Sequence, residues 1–107
     1  MPALQFKRRY VAQILDGSKT ATLRAALPPC CEPGAIVTLM NGYRAGAKFG
    51  SAKILSVREL RVPPDITDEV ARLDGFASRD GLLGELDRLY RGPTVWQIRW
   101  EFPLLGE

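Results

Sequence analysis

The sequence predicts a small mixed α+β, mainly β fold: a β-barrel with about three helices packed around its openings. Three observations carry that expectation. Stretches of strand character recur at short spacings. The longest of them changes its apolar phase along its length, as a strand does where it bulges or bends around a barrel. Helical periodicity is confined to a few short segments. On pattern alone, a two-layer α+β sheet is the competing architecture. With 107 residues, the chain is expected to form one domain with a single modest core.

The elements follow in order. Phe6, Tyr10, Val11, Ile14 and Leu15 recur at helical spacing, and Gly17 stands where a C-terminal cap belongs, which predicts a helix over 7–16. Residues 19–25 read as a strand containing Thr20, Thr22 and Leu23. A loop rich in proline follows, with Pro28, Pro29, Cys30, Cys31, Pro33 and Gly34. Ile36 to Met40 is the next strand, closed by the turn signal Asn41-Gly42, with Gly46 and Gly50 punctuating the return.

From Phe49 to Val62 the chain is β-like, with Ala52 and Ile54 on one apolar phase, Leu55 and Val57 on the other, then Leu60 and Val62. Thr67, followed by Asp68 and Glu69, reads as a helix start that stops at Gly75. Ser78 opens another helix, whose Leu82, Leu83, Leu86, Leu89 and Tyr90 make one apolar stripe, ended by Gly92-Pro93. In the last strand Trp96, Ile98, Trp100 and Phe102 are expected inward, with Gln97, Arg99 and Glu101 outward.

Charge is unevenly spread. Residues 1–63 hold 10 Lys/Arg against 3 Asp/Glu, whereas residues 64–107 hold 5 against 9. A basic half of that kind attracts polyanions, with a contribution that salt weakens. The chain has no histidine, so imidazole general-base catalysis and most zinc sites are excluded. Cys30 and Cys31 are adjacent, which suits neither a disulfide nor a metal site, and free thiols in a reducing compartment are expected. No apolar run is long enough to cross a membrane and no signal-peptide pattern opens the chain, so a cytoplasmic protein without metal or cofactor is expected.

The densest chemistry lies in Gly17-Ser18-Lys19-Thr20-Ala21-Thr22-Leu23-Arg24, which places an amine, two hydroxyls and a guanidinium where helix turns into strand. Taken singly, each residue has an ordinary reading. Lys19 suits the negative end of a helix dipole, the threonines suit a strand, and Arg24 suits an ion pair. Asp74, in Leu73-Asp74-Gly75-Phe76 between two helices, suits a turn or cap. Their combined functional reading is a pocket lined by Lys19, Thr22, Arg24 and Asp74 between barrel and helices. Trp96 and Trp100 read as core, while one or two of Phe49, Phe76, Tyr43 and Tyr90 could line a base-sized pocket.

Order and spacing of these motifs resemble the ASCH family, small barrels related to the RNA-binding PUA domains. The likeness covers most of the chain. It includes Ile14-Leu15-x-Gly17, the Lys19–Arg24 strand, Pro33-Gly34, Phe49-Gly50-Ser51-Ala52-Lys53-Ile54, Ile66-Thr67-Asp68-Glu69, Asp74-Gly75-Phe76 with Ser78, and the aromatic terminal strand. The resemblance implies a PUA-like barrel with a cleft beside its helices, and RNA or a modified nucleoside as partner.

One branch of the family removes the acetyl group from N4-acetylcytidine with a lysine, a threonine and a glutamate. Other members are RNA-binding modules or ribonucleases. Lys19 and Thr22 match the lysine and threonine; many members carry glutamate where Thr22 stands. Asp74 falls at the place of the catalytic glutamate, one methylene shorter. The resemblance therefore implies Lys19, Thr22 and Asp74 as catalytic residues, with Arg24, Thr20 and Phe76 binding substrate. Either Lys19 or Asp74 would be the base, and a carboxylate beside Lys19 is expected to raise the lysine pKa. A non-catalytic RNA-binding module is the alternative.

Overall fold

The computed structural model describes residues 3–29, 31–42, 47–90 and 92–103. The order of elements is β1 (Ala3–Phe6), α1 (Arg8–Asp16), β2 (Ala21–Arg24), β3 (Ile36–Asn41), β4 (Lys48–Arg61), α2 (Asp68–Leu73), α3 (Arg79–Leu89) and β5 (Thr94–Glu101). All five strands belong to one mixed sheet in the order β1-β3-β4-β5-β2. β1 lies parallel to β3, and the other pairs are antiparallel.

β1 is an element the sequence reading lacked. Phe6 fitted the helical spacing of Tyr10 and Ile14, but it ends this short strand and is 2% exposed. Four residues offer too little alternation to reveal a strand beside a stronger helical pattern. α1 itself forms where expected and is closed by Gly17 at φ +87°, whose N–H donates to the Ile14 carbonyl. Leu15, placed by its spacing in the apolar stripe, is 57% exposed; Ile14 alone of this helix is fully buried.

The phase change in the long strand is a bulge. Ile54 pairs with Trp100 and Ser56 with Arg99, so Leu55 has no partner and stands 49% exposed. The slip sorts the core into two parts. Before it, Ala52 and Ile54 pack with Leu4, Phe6, Ile14, Val37, Leu39, Ile98 and Trp100. Beyond it, Leu60 packs with Leu23, Val95 and the helical residues Ile66, Val70, Ala71, Leu82 and Leu86. Each side of the bulge thus buries its own apolar set, apart from Val57, which packs against the first.

This division corrects the reading of β5. Gln97, expected outward, is 2% exposed, because α2 and α3 cover the face that Val95 and Gln97 share. Its side-chain carbonyl accepts from Arg58 Nε at 3.1 Å. Trp96 is only half-buried, whereas Trp100 is buried edge-on to Phe6 with ring centroids 5.4 Å apart. Cys31 is buried in the core; Cys30, Tyr43 and Gly46 lie outside the described residues.

β1 and β2 are the two edges of the sheet, and the curl of the sheet brings them face to face. Arg24 of β2 donates from Nη2 to the Gln5 carbonyl of β1 at 2.6 Å. A guanidinium thus spans the gap that a backbone ladder leaves open. No described helix is long and apolar enough to cross a membrane.

Candidate active site

The gap between the edge strands is a cleft of about 80 Å³. Gln5, Phe6 and Lys7 contribute from β1 and its end, Tyr10 from α1, and Lys19, Thr22, Leu23 and Arg24 from the β2 segment. Asp74 and Phe76 enter from the α2–α3 link, and Glu85, Leu86, Leu89 and Tyr90 from α3 and its cap. Residues distant in sequence therefore meet at one small concavity.

Local backbone chemistry fixes the floor. Past Gly17, the Lys19 N–H returns to the Gln13 carbonyl at 3.0 Å, and the Thr20 N–H reaches the Leu73 carbonyl at 2.8 Å. Lys19 and Asp74 form an isolated antiparallel bridge. α2 starts with the Thr67 hydroxyl accepting from the Val70 N–H and ends with Asp74 as its C-cap. Gly75 then takes φ +88°. Its N–H donates to Arg72 and that of Phe76 to Ala71, the two crossed bonds of a Schellman ending. That turn presents the Asp74 carboxyl to Lys19 and turns Phe76 into the cleft.

Gly75 is constrained a second time. A Cβ there would sit 2.9 Å from Gln13 Oε1, and Gln13 Nε2 donates to the Gly75 carbonyl at 3.2 Å. Through Gln13, helix α1 thus grips both sides of the catalytic-candidate pair.

Lys19 and Asp74 are 3% and 6% exposed, and they are paired directly, Nζ donating to Oδ1. Nζ also donates to the Asp74 backbone carbonyl at 3.1 Å. The shorter acid reaches the lysine because the β-bridge brings the two backbones together. Burial pushes the Lys19 amine below its ordinary range, against the opposing pull of Asp74. The neighbouring carboxylate does pull the lysine pKa upwards, as expected, but loss of water outweighs the attraction of the charge. Burial likewise pushes the Asp74 carboxyl up, opposed by Lys19. Both shifts favour the uncharged forms, so an uncharged amine beside a carboxylic acid becomes accessible without burying net charge.

Thr22 pairs with Ile98 in the β2–β5 ladder, lines the cleft and is 7% exposed. Arg24 lies over the Phe6 ring, 5.0 Å from its centroid, while holding Gln5. Phe76 is half-buried in the wall. Of the six residues expected at the site, Thr20 alone does not line the cleft. Its backbone is taken up by Leu73 on one side and, through its carbonyl, by the Trp100 N–H on the other.

Tyr10 and Glu85 are cleft residues that sequence reasoning missed. The Tyr10 ring lies over Lys19 Nζ at 5.0 Å. Its hydroxyl accepts from Arg9 at 2.9 Å and donates to Glu85 at 3.3 Å. Glu85 also accepts from Arg9 at 2.7 Å and from Arg88 at 2.8 and 2.7 Å. The hydrogen bond from Arg88 leads in holding the Glu85 carboxyl below its usual range. Tyr10 sat in an apolar helical pattern, and Glu85 read as a surface partner of Arg88 three residues on. Nothing in either segment signalled that α1 and α3 face each other across a cleft. Among the described residues, no three His, Cys, Asp or Glu side chains are grouped to hold a metal ion.

The chain is similar to a solved structure, the ASCH domain from Lactobacillus crispatus JV V101. The TM-score is 0.58 at 18% identity, over 84% of this chain and 67% of that one. At that identity the likeness establishes an ASCH-type fold, as the order of motifs led us to expect; here it is built as a five-stranded sheet with three helices. No protein-family model matches the sequence, and no curated protein matches it.

Proposed function

We propose that the cleft is the active site of an amidohydrolase that removes a small acyl group from the exocyclic nitrogen of a cytidine, with N4-acetylcytidine as the model substrate. The observation that carries this reading is the buried Lys19–Asp74 pair on the floor of a cleft that Thr22 lines. Burying two ionisable groups in contact is costly for stability, and a structural role would be served as well by apolar residues. Four aromatic residues, Phe6, Tyr10, Phe76 and Tyr90, line the same cleft and suit a planar heterocycle. Lys7 and Arg24 bring positive charge to it.

The division of labour follows from the electrostatics. Thr22 Oγ1 attacks the amide carbonyl while Lys19, its amine pushed below its ordinary range by burial, accepts the hydroxyl proton. Asp74, held towards its protonated form, keeps the pair close to neutral and supplies the route by which a proton returns to the leaving nitrogen. The C–N bond breaks, the base departs with its amino group restored, and water cleaves the resulting threonyl ester to release the acid. Arg24 is the cation available to the developing oxyanion.

Purified protein incubated with N4-acetylcytidine, with cytidine followed by chromatography, tests the proposal. Turnover that Lys19→Ala abolishes supports it; absent turnover, or turnover indifferent to that substitution, rejects it. The second reading, a non-catalytic RNA-binding module, is favoured by the basic charge of residues 1–63. It requires RNA affinity that declines steeply with salt in gel shifts and survives Lys19→Ala.

A further inference from the structure

We propose that Tyr10 is a positioning residue for Lys19, its ring stabilising the ammonium that forms when the amine takes up a proton. This deepens the hydrolytic reading and rests on it for its catalytic meaning, but it concerns a contact present in the protein without substrate. Lys19 faces three other elements. Asp74 meets it from the α2–α3 link and Arg24 acts on it from β2, while Tyr10 covers it from α1 with the ring centroid 5.0 Å from Nζ.

Burial and Arg24 both disfavour the protonated amine, so a base in this position is easily left too weak to hold the proton it removes. An aromatic face corrects this selectively. Its quadrupole attracts an ammonium and does little for a neutral amine, so the contact strengthens as the proton arrives. Two of the directions around Nζ end on Asp74, through Oδ1 and the backbone carbonyl, and the ring limits how the amine can turn among the rest.

The ring is itself held in place. Arg9 donates to the Tyr10 hydroxyl, the hydroxyl donates to Glu85, and Arg9 and Arg88 both clamp Glu85. A tyrosine that served only as packing would need no such network, since its hydroxyl could face water. Here the network ties α1 to α3 over the lysine. Glu85 thus acts on Lys19 at one remove, by fixing the ring.

The test follows the Lys19 Nζ resonance by NMR through a pH titration, in the wild type, Tyr10→Leu and Tyr10→Phe, with backbone spectra confirming the fold. The expected results are a lower Lys19 titration in Tyr10→Leu and little displacement in Tyr10→Phe, which keeps the ring. If the leucine variant does not fold, pentafluorophenylalanine at position 10 replaces it. That ring has the shape of phenylalanine and a reversed quadrupole, so Lys19 must titrate lower than in Tyr10→Phe. An unchanged Lys19 titration in either comparison overturns the proposal. This readout does not need turnover, so it separates failure of the tyrosine contact from failure of the hydrolytic reading. Where N4-acetylcytidine is turned over, kcat falls on the order of tenfold in Tyr10→Leu and changes little in Tyr10→Phe.

Discussion

Asp74 meets Lys19 twice, once through its carboxyl and once through its own backbone carbonyl, 3.1 Å from Nζ. The two contacts need different things of the chain. The carboxyl requires a side chain of the right reach, and the carbonyl requires the backbone bridge between residues 19 and 74. Together they hold a buried amine and a buried acid in fixed relation on the floor of the cleft.

Removing one member should therefore be worse than removing both. Lys19→Met alone leaves Asp74 buried without its partner, at a cost of about 3–5 kcal/mol where the acid must ionise. Adding Asp74→Leu restores an apolar pair of similar bulk and should recover most of that loss. Urea unfolding of the two single variants and the double variant measures the difference, and simple additivity would contradict it.

The same pair gives the protein a defined response to pH. The Asp74 carboxyl is raised from its ordinary 3.8, so the folded chain keeps a proton that the unfolded chain releases. Its contribution is full below pH 3.8 and is lost as pH rises through the folded value. The Lys19 amine is depressed from 10.5, so its contribution is full above that pH and is lost as pH falls through the folded value. Against the Lys19→Met/Asp74→Leu double variant, the wild type should be relatively weakest near neutrality and should gain towards both extremes. Unfolding both proteins across the pH range checks this, since Glu85 and the other acids are common to them.

Gly17 and Gly75 both adopt left-handed φ, at +87° and +88°, but only one is crowded. Gly17→Ala meets no atom within 4 Å, so only the backbone term of about 1 kcal/mol applies. Gly75→Ala also pushes the flexible end of Gln13 aside, at the expense of its bond to the Gly75 carbonyl, and should cost about 2 kcal/mol. Thermal unfolding ranks the two. Gln13→Ala should relieve Gly75→Ala and leave Gly17→Ala as it was.

Arg24 joins the sheet edges through the Gln5 carbonyl and lines the cleft. Arg24→Lys keeps the charge but loses the planar fork, so it should not restore what Arg24→Met removes. We expect a stability loss of about 1 kcal/mol in both, with KM for the acylated nucleoside raised on the order of tenfold. Steady-state kinetics beside urea unfolding separates the two effects; a lysine variant with wild-type KM would refute this role.

Much of this was legible in the chain because it rests on local signals. Gly17, Thr67 and Ser78 mark helix ends through caps that any such helix needs, and all three act as caps. The phase change near Leu55 foretold the bulge. Phe6 and Gln97 were misread because their environment is tertiary: one belongs to a strand of four residues, and the other is covered by helices that arrive from elsewhere in the chain. At the site, Lys19, Thr22 and Arg24 stood out as a cluster. Tyr10 and Glu85 did not, since only the approach of α1 to α3 gives them a common purpose.

The central claim is that Lys19, Thr22 and Asp74 act on one amide bond held in the cleft. Its most direct test is a crystal structure of Thr22→Val soaked with N4-acetylcytidine, the valine blocking attack while keeping the shape of threonine. The account predicts the base among Tyr10, Phe76 and Tyr90, with the amide carbonyl carbon within about 3.5 Å of the valine Cγ that replaces the hydroxyl. Ligand bound elsewhere on the protein, or bound in the cleft with its amide turned away from residues 19, 22 and 74, would contradict it.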